Sequence, residues 1–203
     1  MMRGMDWGRR NRTGALATMA AIALAAGVVG SGCGRSGSAK PKPVTQQFRS
    51  GAASQPGGVT VTSNAFGEGA HIPERYSCKG DNVAPPITWK GVPPGMSSVA
   101  VAVTDPDAPR GLFVHWLVTS IPPTPTGSLS PAVMPPGAKD QKNSAGQAGY
   151  TGMCPPAGQS HHYLFEVIVL PGPVTLPEDP AAAVRALRAA ARASGKLTGT
   201  FGG

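Results

Sequence analysis

The apolar positions of the chain are concentrated in three stretches, residues 98–104, 113–119 and 163–170. These stretches are rich in Val, Ile and Phe and are apolar almost throughout, which is typical of strands in the interior of a sheet. Shorter runs with alternating polarity, or extended by a following proline, predict further strands. These shorter strands are predicted at residues 59–63, 85–89 and 197–201.

A helix is predicted only at residues 180–193, where apolar residues recur at helical spacing. Asp179 is the predicted N-cap, Pro180 the first helical residue and Gly195 the residue that ends the helix. The chain is therefore a succession of strands with one late helix. This order predicts a mainly β fold, an antiparallel β-sandwich, and not alternating β and α units.

Glycine and proline are abundant, at 28 and 22 residues, and only 14% of residues are charged. This composition favours a turn-rich β domain over a helical bundle. Two stretches, residues 121–136 and 139–153, are especially rich in Pro or Gly and are predicted to be irregular loops.

The formal net charge of +8 would suggest a nucleic-acid partner if the basic residues lay in the folded domain. Residues 1–56 hold eight of the 18 Lys and Arg residues and one of the ten acidic residues, a net charge of +7. Residues 57–203 hold the other ten basic and nine acidic residues and are nearly neutral. No basic stripe is left in the predicted domain, which argues against a nucleic-acid partner.

Residues 1–33 have the organisation of an export signal. A positively charged start precedes the apolar residues 15–30, which are fewer than the about 20 that a membrane-spanning helix needs. Small residues then lead into Cys33, as at a bacterial lipoprotein cleavage site, so Cys33 is predicted to carry a lipid. Ordinary secretion without a lipid is the alternative. A disordered linker is predicted at residues 34–56, followed by one folded domain at residues 57–203.

The chain has three cysteines, Cys33, Cys78 and Cys154. If Cys33 is lipid-modified, an even pair remains in the domain of an exported protein, where disulfides persist. We therefore predict a disulfide between Cys78 and Cys154. Two free thiols, or thiols too far apart to meet, remain the alternative.

Two carboxylates follow the first strong strand. Asp105 and Asp107 are two residues apart in a proline-stiffened segment, so both are predicted to face one side at the end of the strand. On the next strand, alternation predicts that His115 shares a face with Leu117 and Thr119. The alternative interpretations are an ordinary Asp-Pro-Asp turn and a histidine that is only part of the core.

His161 and Tyr163 are predicted to share a face at the start of the third strong strand. If the strands are neighbours, these side chains converge with Asp105, Asp107 and His115 into a polar pocket. Carboxylates raise the pKa of a nearby histidine, and a charged imidazole donates well to phosphate or carboxylate oxygens. The aspartates would accept from an ammonium group, so the pocket would suit a zwitterionic headgroup.

The segments DPDAP (residues 105–109) and FVHW (residues 113–116) resemble the signature of the phosphatidylethanolamine-binding protein family, which includes the Raf kinase inhibitor proteins. The resemblance extends in order over residues 58–203 with the motif spacing intact, and is closest to the bacterial branch. Its further segments are IPERYSC (72–78), NVAPPITW (82–89), GYTGMCPP (149–156) and HHY (161–163).

The resemblance implies a large antiparallel sheet packed on a smaller one, a helix near the C-terminus and a small anion pocket. It identifies Asp105 and Asp107 with the paired aspartates of the family and His115 with the histidine of its H-[FW] motif. His161 and Tyr163 match the histidine and tyrosine of the H-R-Y motif.

The chain departs from the family pattern in two places. His162 stands where the family usually has arginine, which affects the local charge and packing. Residues 143–146, Asn-Ser-Ala-Gly, stand where bacterial members tend to have Asn-Asp-aromatic-Gly, which affects a loop beside the pocket.

The resemblance implies a non-enzymatic binding protein without a cofactor that holds a small phosphate-like or headgroup ligand. Together with the export signal and Cys33, it predicts such a protein lipid-anchored outside the cytoplasmic membrane. A first alternative is an inhibitor or regulator, for example of a protease, that acts through the pocket rim and the loops in residues 121–160. A second is a metal-dependent enzyme with Asp105, Asp107, His115 and His161 as ligands, which is disfavoured because no separate base or nucleophile is identifiable.

Overall fold

The computed structural model describes residues 58–202. The predicted signal peptide (residues 1–33), the lipidation site Cys33 and the predicted linker (residues 34–56) lie outside the described residues. Within residues 58–202, no helix has the length and apolarity of a membrane span.

The described residues form eight strands, one α-helix and a single 3-10 turn at Glu74–Tyr76. All strand pairs in both sheets are antiparallel. In chain order the elements are β1 (Thr60–Thr62), β2 (Ile87–Lys90), β3 (Ser98–Asp105), β4 (Phe113–Ile121), β5 (Thr126–Leu129), β6 (Lys139–Asp140), β7 (Ser160–Leu170), α1 (Pro180–Ala190) and β8 (Ala193–Gly202).

The strands form a small sheet of order β1-β2-β5 and a large sheet of order β6-β4-β3-β7-β8. The three stretches predicted as strong strands are β3, β4 and β7, and they are adjacent at the centre of the large sheet. The predicted mainly β fold, with a large sheet, a smaller sheet and a C-terminal helix, is confirmed.

The large sheet is buried on both faces, which explains its nearly continuous apolar strands. One face packs on the small sheet in a core that includes Val101, Phe165 and Trp89. The other face packs on α1 in a second core that includes Ala102 and Leu187. Successive residues of β7 therefore enter two different cores, and this alternation decides where the functional side chains point.

The helix begins as predicted, because Asp179 Oδ1 accepts a hydrogen bond from the Ala182 backbone N–H at 2.7 Å and Pro180 is the first helical residue. Its predicted end is wrong. The helix stops at Ala190, and Gly195 lies inside β8, which is longer than the predicted strand. Pairing with β7 along nearly its whole length stabilises β8, and helical periodicity at residues 191–193 does not reveal this pairing.

The residues predicted as irregular loops contain two short strands, β5 and β6. Neither has an apolar alternation, so neither has the pattern by which a strand is predicted. In β5, Gly127 lies against the Trp89 ring, where a Cβ would come within 2.3 Å of a ring carbon. The position of β5 is thus determined by packing on β2.

Candidate functional site

A cleft of about 1150 Å³ opens where β3 ends and β4 begins. Its walls are the β3–β4 connection, the segment from residue 142 to residue 156, and the residues that precede α1. Of the five predicted ligand-binding residues, Asp105, His115 and His161 line this main cleft. Asp107 and Tyr163 do not line it, although both are neighbours of residues that do.

Asp105 and His161 form a buried pair in the wall of the main cleft. Each residue is only 4% exposed, and His161 Nδ1 lies 2.7 Å from Asp105 Oδ2. The second oxygen, Asp105 Oδ1, accepts the backbone N–H of Asp107 at 2.8 Å. Both carboxylate oxygens of Asp105 therefore have partners inside the protein, and the pair fixes the orientation of the His161 ring.

Asp107 points away from the main cleft, which corrects the prediction that both carboxylates face one side. Its Oδ2 accepts from the backbone N–H of His162 at 2.8 Å and lies 2.7 Å from His162 Nδ1. These two hydrogen bonds, the backbone one first, lower the pKa of Asp107. His161 and His162 are consecutive in β7 and point to opposite faces, so the carboxylates that bind them diverge.

His115 occupies a β-bulge in β4. Opposite it on β3, Val103 pairs with Trp116 and Thr104 pairs with Val114, so His115 is the extra residue of the bulge. Bulges of this kind re-aim a side chain and shift the alternation beyond them.

The bulge turns His115 toward the core between the sheets. The His115 ring lies 5.3 Å from the Tyr163 ring in an edge-on arrangement, whereas Leu117 packs beneath α1. The prediction that His115, Leu117 and Thr119 share a face is therefore wrong, because it assumed an unbroken alternation.

The backbone of Thr151 holds His115 on both sides. His115 Nδ1 lies 2.8 Å from the Thr151 carbonyl oxygen, and the Thr151 N–H donates to the His115 carbonyl at 2.9 Å. A carbonyl oxygen only accepts, so Nδ1 carries the proton of the neutral ring. Burial lowers the pKa of His115, and this outweighs the opposite effects of the Thr151 carbonyl and Asp105. The predicted carboxylate-raised pKa is therefore wrong for this histidine.

Two buried polar atoms beside the main cleft have no hydrogen-bond partner among the described residues, His115 Nε2 and Tyr163 Oη. With Nδ1 protonated, Nε2 of the neutral ring presents a lone pair. Burial, followed by the Asp105 carboxylate, raises the pKa of Tyr163, so its hydroxyl stays protonated. An unpartnered buried polar atom costs about 1–3 kcal/mol, and such atoms beside an open cleft indicate a binding site.

Charged side chains of both signs surround the opening. Arg110 and Lys142 are basic, and Glu178 and Asp179 are acidic. The sequence analysis did not identify these four as site residues, because they lie in three connections that are distant from one another in the chain. The mixed rim can contact an anion and an ammonium group on the same ligand.

Asn143 and Ser144, which belong to the segment 143–146 where the chain departs from the family pattern, hold the loop beside β4 in place. Ser144 makes two hydrogen bonds to Val114, accepting its N–H through Oγ and donating its own N–H to the carbonyl, both at 2.9 Å. Asn143 is buried and organises the turn by accepting from the N–H groups of Ala145 and Gln147. The Asn-Ser pair thus fixes this wall of the main cleft.

The predicted disulfide is present in the structure and lies at the main cleft. Cys78 and Cys154 are bonded, with their Cα atoms 5.5 Å apart, and both line the opening. Gly152 also lines the main cleft, and its N–H donates to Asn82 Oδ1 at 2.6 Å.

We expect Gly152→Ala to destabilise the protein by about 1–3 kcal/mol, because the added Cβ overpacks a site without free space. It would lie 2.5 Å from Asn82 Oδ1 and 2.7 Å from the Ser77 carbonyl carbon. Urea unfolding measures the change. Gly172→Ala is the matched control, since a Cβ there has no atom within 4 Å. Equal stabilities of the two variants would contradict the prediction.

No group of three or more His, Cys, Asp or Glu side chains in residues 58–202 is arranged to hold a metal ion. The four predicted metal ligands are split, because Asp107 pairs with His162 at the surface while the other three line the main cleft.

Comparisons with known proteins match the architecture. The family model for phosphatidylethanolamine-binding protein matches residues 62–202. A Mycobacterium tuberculosis protein named "Putative lipoprotein LppC" is 45% identical over 148 residues, 71% of this chain and 73% of LppC. The crystal structure of Escherichia coli YbcL has a TM-score of 0.64 at 36% identity, covering 71% of this chain and 98% of YbcL. Chlamydia trachomatis CT736 has a TM-score of 0.63 at 30% identity, covering 72% and 99%. The chain therefore belongs to the phosphatidylethanolamine-binding protein family.

Proposed function

We propose that this chain is a non-enzymatic binding protein that holds a small phosphate-like anion, or the headgroup that contains one, in the main cleft. The observation that carries the proposal is the buried, unpartnered Nε2 of His115. Membership of a family named for binding phosphatidylethanolamine supports it.

The contacts around His115 suit a phosphate oxygen. A proton placed between Nε2 and the oxygen gives the buried nitrogen the partner it lacks, whether the ring or the phosphate supplies the proton. Hydrogen bonds with His161 Nδ1 and the Asp107 N–H partly compensate the negative charge of Asp105, which reduces its repulsion of the anion. Arg110 and Lys142 at the opening supply positive charge.

The same rim accommodates a zwitterion. Glu178 lines the opening with Lys142, so a ligand whose phosphate lies near Lys142 can place an ammonium group at Glu178. The proposed ligands therefore include phosphoethanolamine-like headgroups as well as free phosphate.

We propose that the protein is located in the cell envelope, where a lipid on Cys33 anchors it to the membrane. The small residues before Cys33 support this location, as does the name of the relative LppC. The near-neutral domain and the positively charged linker are consistent with a domain tethered beside an anionic membrane surface.

Titration with inorganic phosphate and phosphoethanolamine tests the function. We expect the imidazole signals of His115 in the NMR spectrum to shift on binding, and His115→Asn to weaken binding at least about tenfold, since a charge-assisted hydrogen bond is lost. His162→Asn is the control, because His162 is exposed and outside the cleft. No shift at His115, or equal affinities of the two variants, would refute the proposal.

Sulfate titrations at several pH values test whether His115 takes up a proton when an anion binds. The pKa of His115 is lowered in the free protein, and a bound anion raises it, so binding takes up a proton. Affinity should therefore rise as the pH falls from about 8 to about 5, the range in which histidine titrates. Sulfate does not titrate there, so an affinity independent of pH would show that His115 is not the group that binds the anion.

A further inference from the structure

The two histidines that line the main cleft differ in whether their Nε2 atoms have a partner. His115 Nε2 is buried and has no hydrogen-bond partner among the described residues. His161 Nε2 lies 3.2 Å from Oε1 of Gln159, the residue two positions earlier in the chain. The difference between the two rings therefore depends on one exposed side chain, that of Gln159.

Asp105 and Gln159 together occupy both ring nitrogens of His161. Nδ1 lies 2.7 Å from Asp105 Oδ2, and an ionised carboxylate only accepts, so Nδ1 carries a proton. At Nε2, the glutamine amide can serve either form of the ring, because its oxygen accepts from the charged imidazole and its NH2 group donates to the neutral one. While Gln159 is in place, His161 has no ring nitrogen left for a ligand.

A tight turn at the edge of the main cleft positions Gln159 beside His161. The backbone N–H of Gln159 donates to the Pro156 carbonyl oxygen at 3.0 Å, and Gly158 in this turn has a φ of 76°, which glycine adopts without strain. Pro156 and His161 both line the main cleft, and β7 begins at Ser160. His161 is only 4% exposed, so the exposed Gln159 side chain covers its Nε2 edge from the solvent side.

His161 and His115 are electrostatically coupled within the cleft. A charge on His161 lowers the pKa of His115, an effect smaller than that of burial. Both rings line the same cleft. Removing the Gln159 amide would therefore expose a second imidazole nitrogen to the anion that the proposed function places at His115.

We propose that Gln159 determines the specificity of the main cleft: it occupies His161, leaves His115 as the only histidine that can donate to the anion, and so favours singly charged phosphate diesters. The inference rests on the proposed function, because the anion must lie at His115. Each negative charge taken out of water needs donors of its own. One histidine donor matches a diester, with one charge, better than a monoester, with about 1.5 to 2 charges near pH 7.

The charges at the opening do not alter this balance. Arg110 and Lys142 are offset by Glu178 and Asp179, so the rim has no net charge that would favour the doubly charged ligand. The number of histidine donors inside the cleft therefore decides between the two ligand classes.

Calorimetric titration of the Gln159→Ala variant near pH 7 tests the inference. This substitution removes the amide and keeps the backbone hydrogen bond of the turn. Phosphoethanolamine, a monoester, should bind about tenfold more tightly to the variant than to the wild type, because His161 Nε2 adds a charge-assisted hydrogen bond. Glycerophosphoethanolamine, a diester with the same ammonium group, should gain at most about threefold.

The imidazole nitrogen signals in the NMR spectrum provide a readout that a merely structural role of Gln159 would not change. In the wild type, phosphoethanolamine should shift Nε2 of His115 much more than Nε2 of His161. In Gln159→Ala it should shift both strongly, because both nitrogens then contact the anion.

Gln147→Ala is the matched control. Gln147 is also exposed and lies in a loop beside the main cleft, but it does not line the cleft and holds Asn143 through its backbone. This variant should bind both ligands as the wild type does, with the same shifts at His115 and His161.

The outcomes separate the inference from the proposed function. If the wild type binds at His115 but Gln159→Ala neither tightens binding nor engages His161, the inference is refuted and the proposed function stands. The inference is also refuted if His161 of the wild type shifts as much as His115, or if the diester gains as much as the monoester. If only Gln159→Ala binds, Gln159 blocks the site and the proposed function of the natural chain fails. If neither protein binds a phosphate compound, both proposals fail.

Discussion

Replacing Cys78 and Cys154 together by serine is expected to lower the free energy of unfolding by about 4 kcal/mol, because the disulfide closes a long loop. The two cysteines are 76 residues apart. Without the bond, the unfolded chain regains the freedom that this loop closure removes, and the entropy of the unfolded state rises. A loss of this size is a large part of the stability of a typical domain.

The native contacts around the disulfide indicate that the effect lies mainly in the unfolded state. Ser77 and Met153 form a β-bridge, and the Cys78 N–H donates to the Met153 carbonyl at 3.0 Å. Tyr150 Oη donates to the Tyr76 carbonyl at 2.6 Å. These bonds hold the two segments together even without the sulfur–sulfur bond, so the folded double variant should retain its main cleft.

Urea unfolding with and without a thiol reductant measures the contribution. In reductant, the free energy of unfolding of the wild type should fall to about that of the double variant. The double variant has no disulfide to reduce, so its stability should not change, and it serves as the internal control. Thiol titration of denatured, unreduced wild type should detect Cys33 at most. Two additional titratable thiols would show that the predicted bond does not form.

Strands with continuous apolar character could be predicted from the sequence because burial on both faces leaves a direct trace in composition. β3, β4 and β7 were found this way, and the family resemblance supplied the architecture of a large and a smaller sheet, but only the structure shows that the three strands are neighbours. The short strands β5 and β6 could not be found, since partners distant in the chain position them and they have no apolar alternation.

The residue types of the candidate site could be predicted from the sequence, but the directions in which their side chains point could not. One extra residue in β4 reverses the side to which His115 points relative to Leu117, and no local motif marks such a bulge. The Asp-Pro-Asp segment was predicted to present two carboxylates to one pocket. Its carboxylates are instead separated, because Asp105 binds His161, whose side chain points inward from β7, and Asp107 binds His162, whose side chain points outward. Both contacts depend on pairing between segments that are distant in the chain.

The low pKa of His115 could not be predicted for a related reason. A carboxylate nearby in the sequence suggested a raised pKa, whereas the depth of burial, which only the folded core determines, has the larger effect. The Thr151 carbonyl that selects the tautomer is 36 residues away along the chain.

Asp105→Ala is expected to cost about 3 kcal/mol of stability, because it leaves Nδ1 of a buried histidine without its partner, with only the longer contact of Nε2 to Gln159 Oε1 at 3.2 Å remaining. His161 is 4% exposed and would lose the carboxylate that now lies 2.7 Å from Nδ1. The Asp107 N–H would lose its acceptor as well. Asp105→Asn should cost less, since its single amide oxygen can replace one of the two accepting oxygens but not both.

Asp107→Ala is the matched control, the same substitution two residues away in the same turn. Asp107 pairs with His162, but their side chains are 41% and 61% exposed, and exposed pairs contribute less than about 1 kcal/mol. The lowered pKa of Asp107 stabilises the fold above the usual carboxyl pKa of 3.8, and this contribution is lost as the pH falls through the lowered value.

Urea unfolding near neutral pH and again in acid distinguishes the two aspartates. Near neutral pH the Asp105→Ala variant should be the less stable by about 2 kcal/mol, whereas the small deficit of Asp107→Ala should vanish in acid. Equal losses would mean that Asp105 is not the buried partner of His161. If the large difference is found, Asp105 orients a histidine at the main cleft while Asp107 fastens the outer surface of the same turn, so the two aspartates of one motif have different tasks.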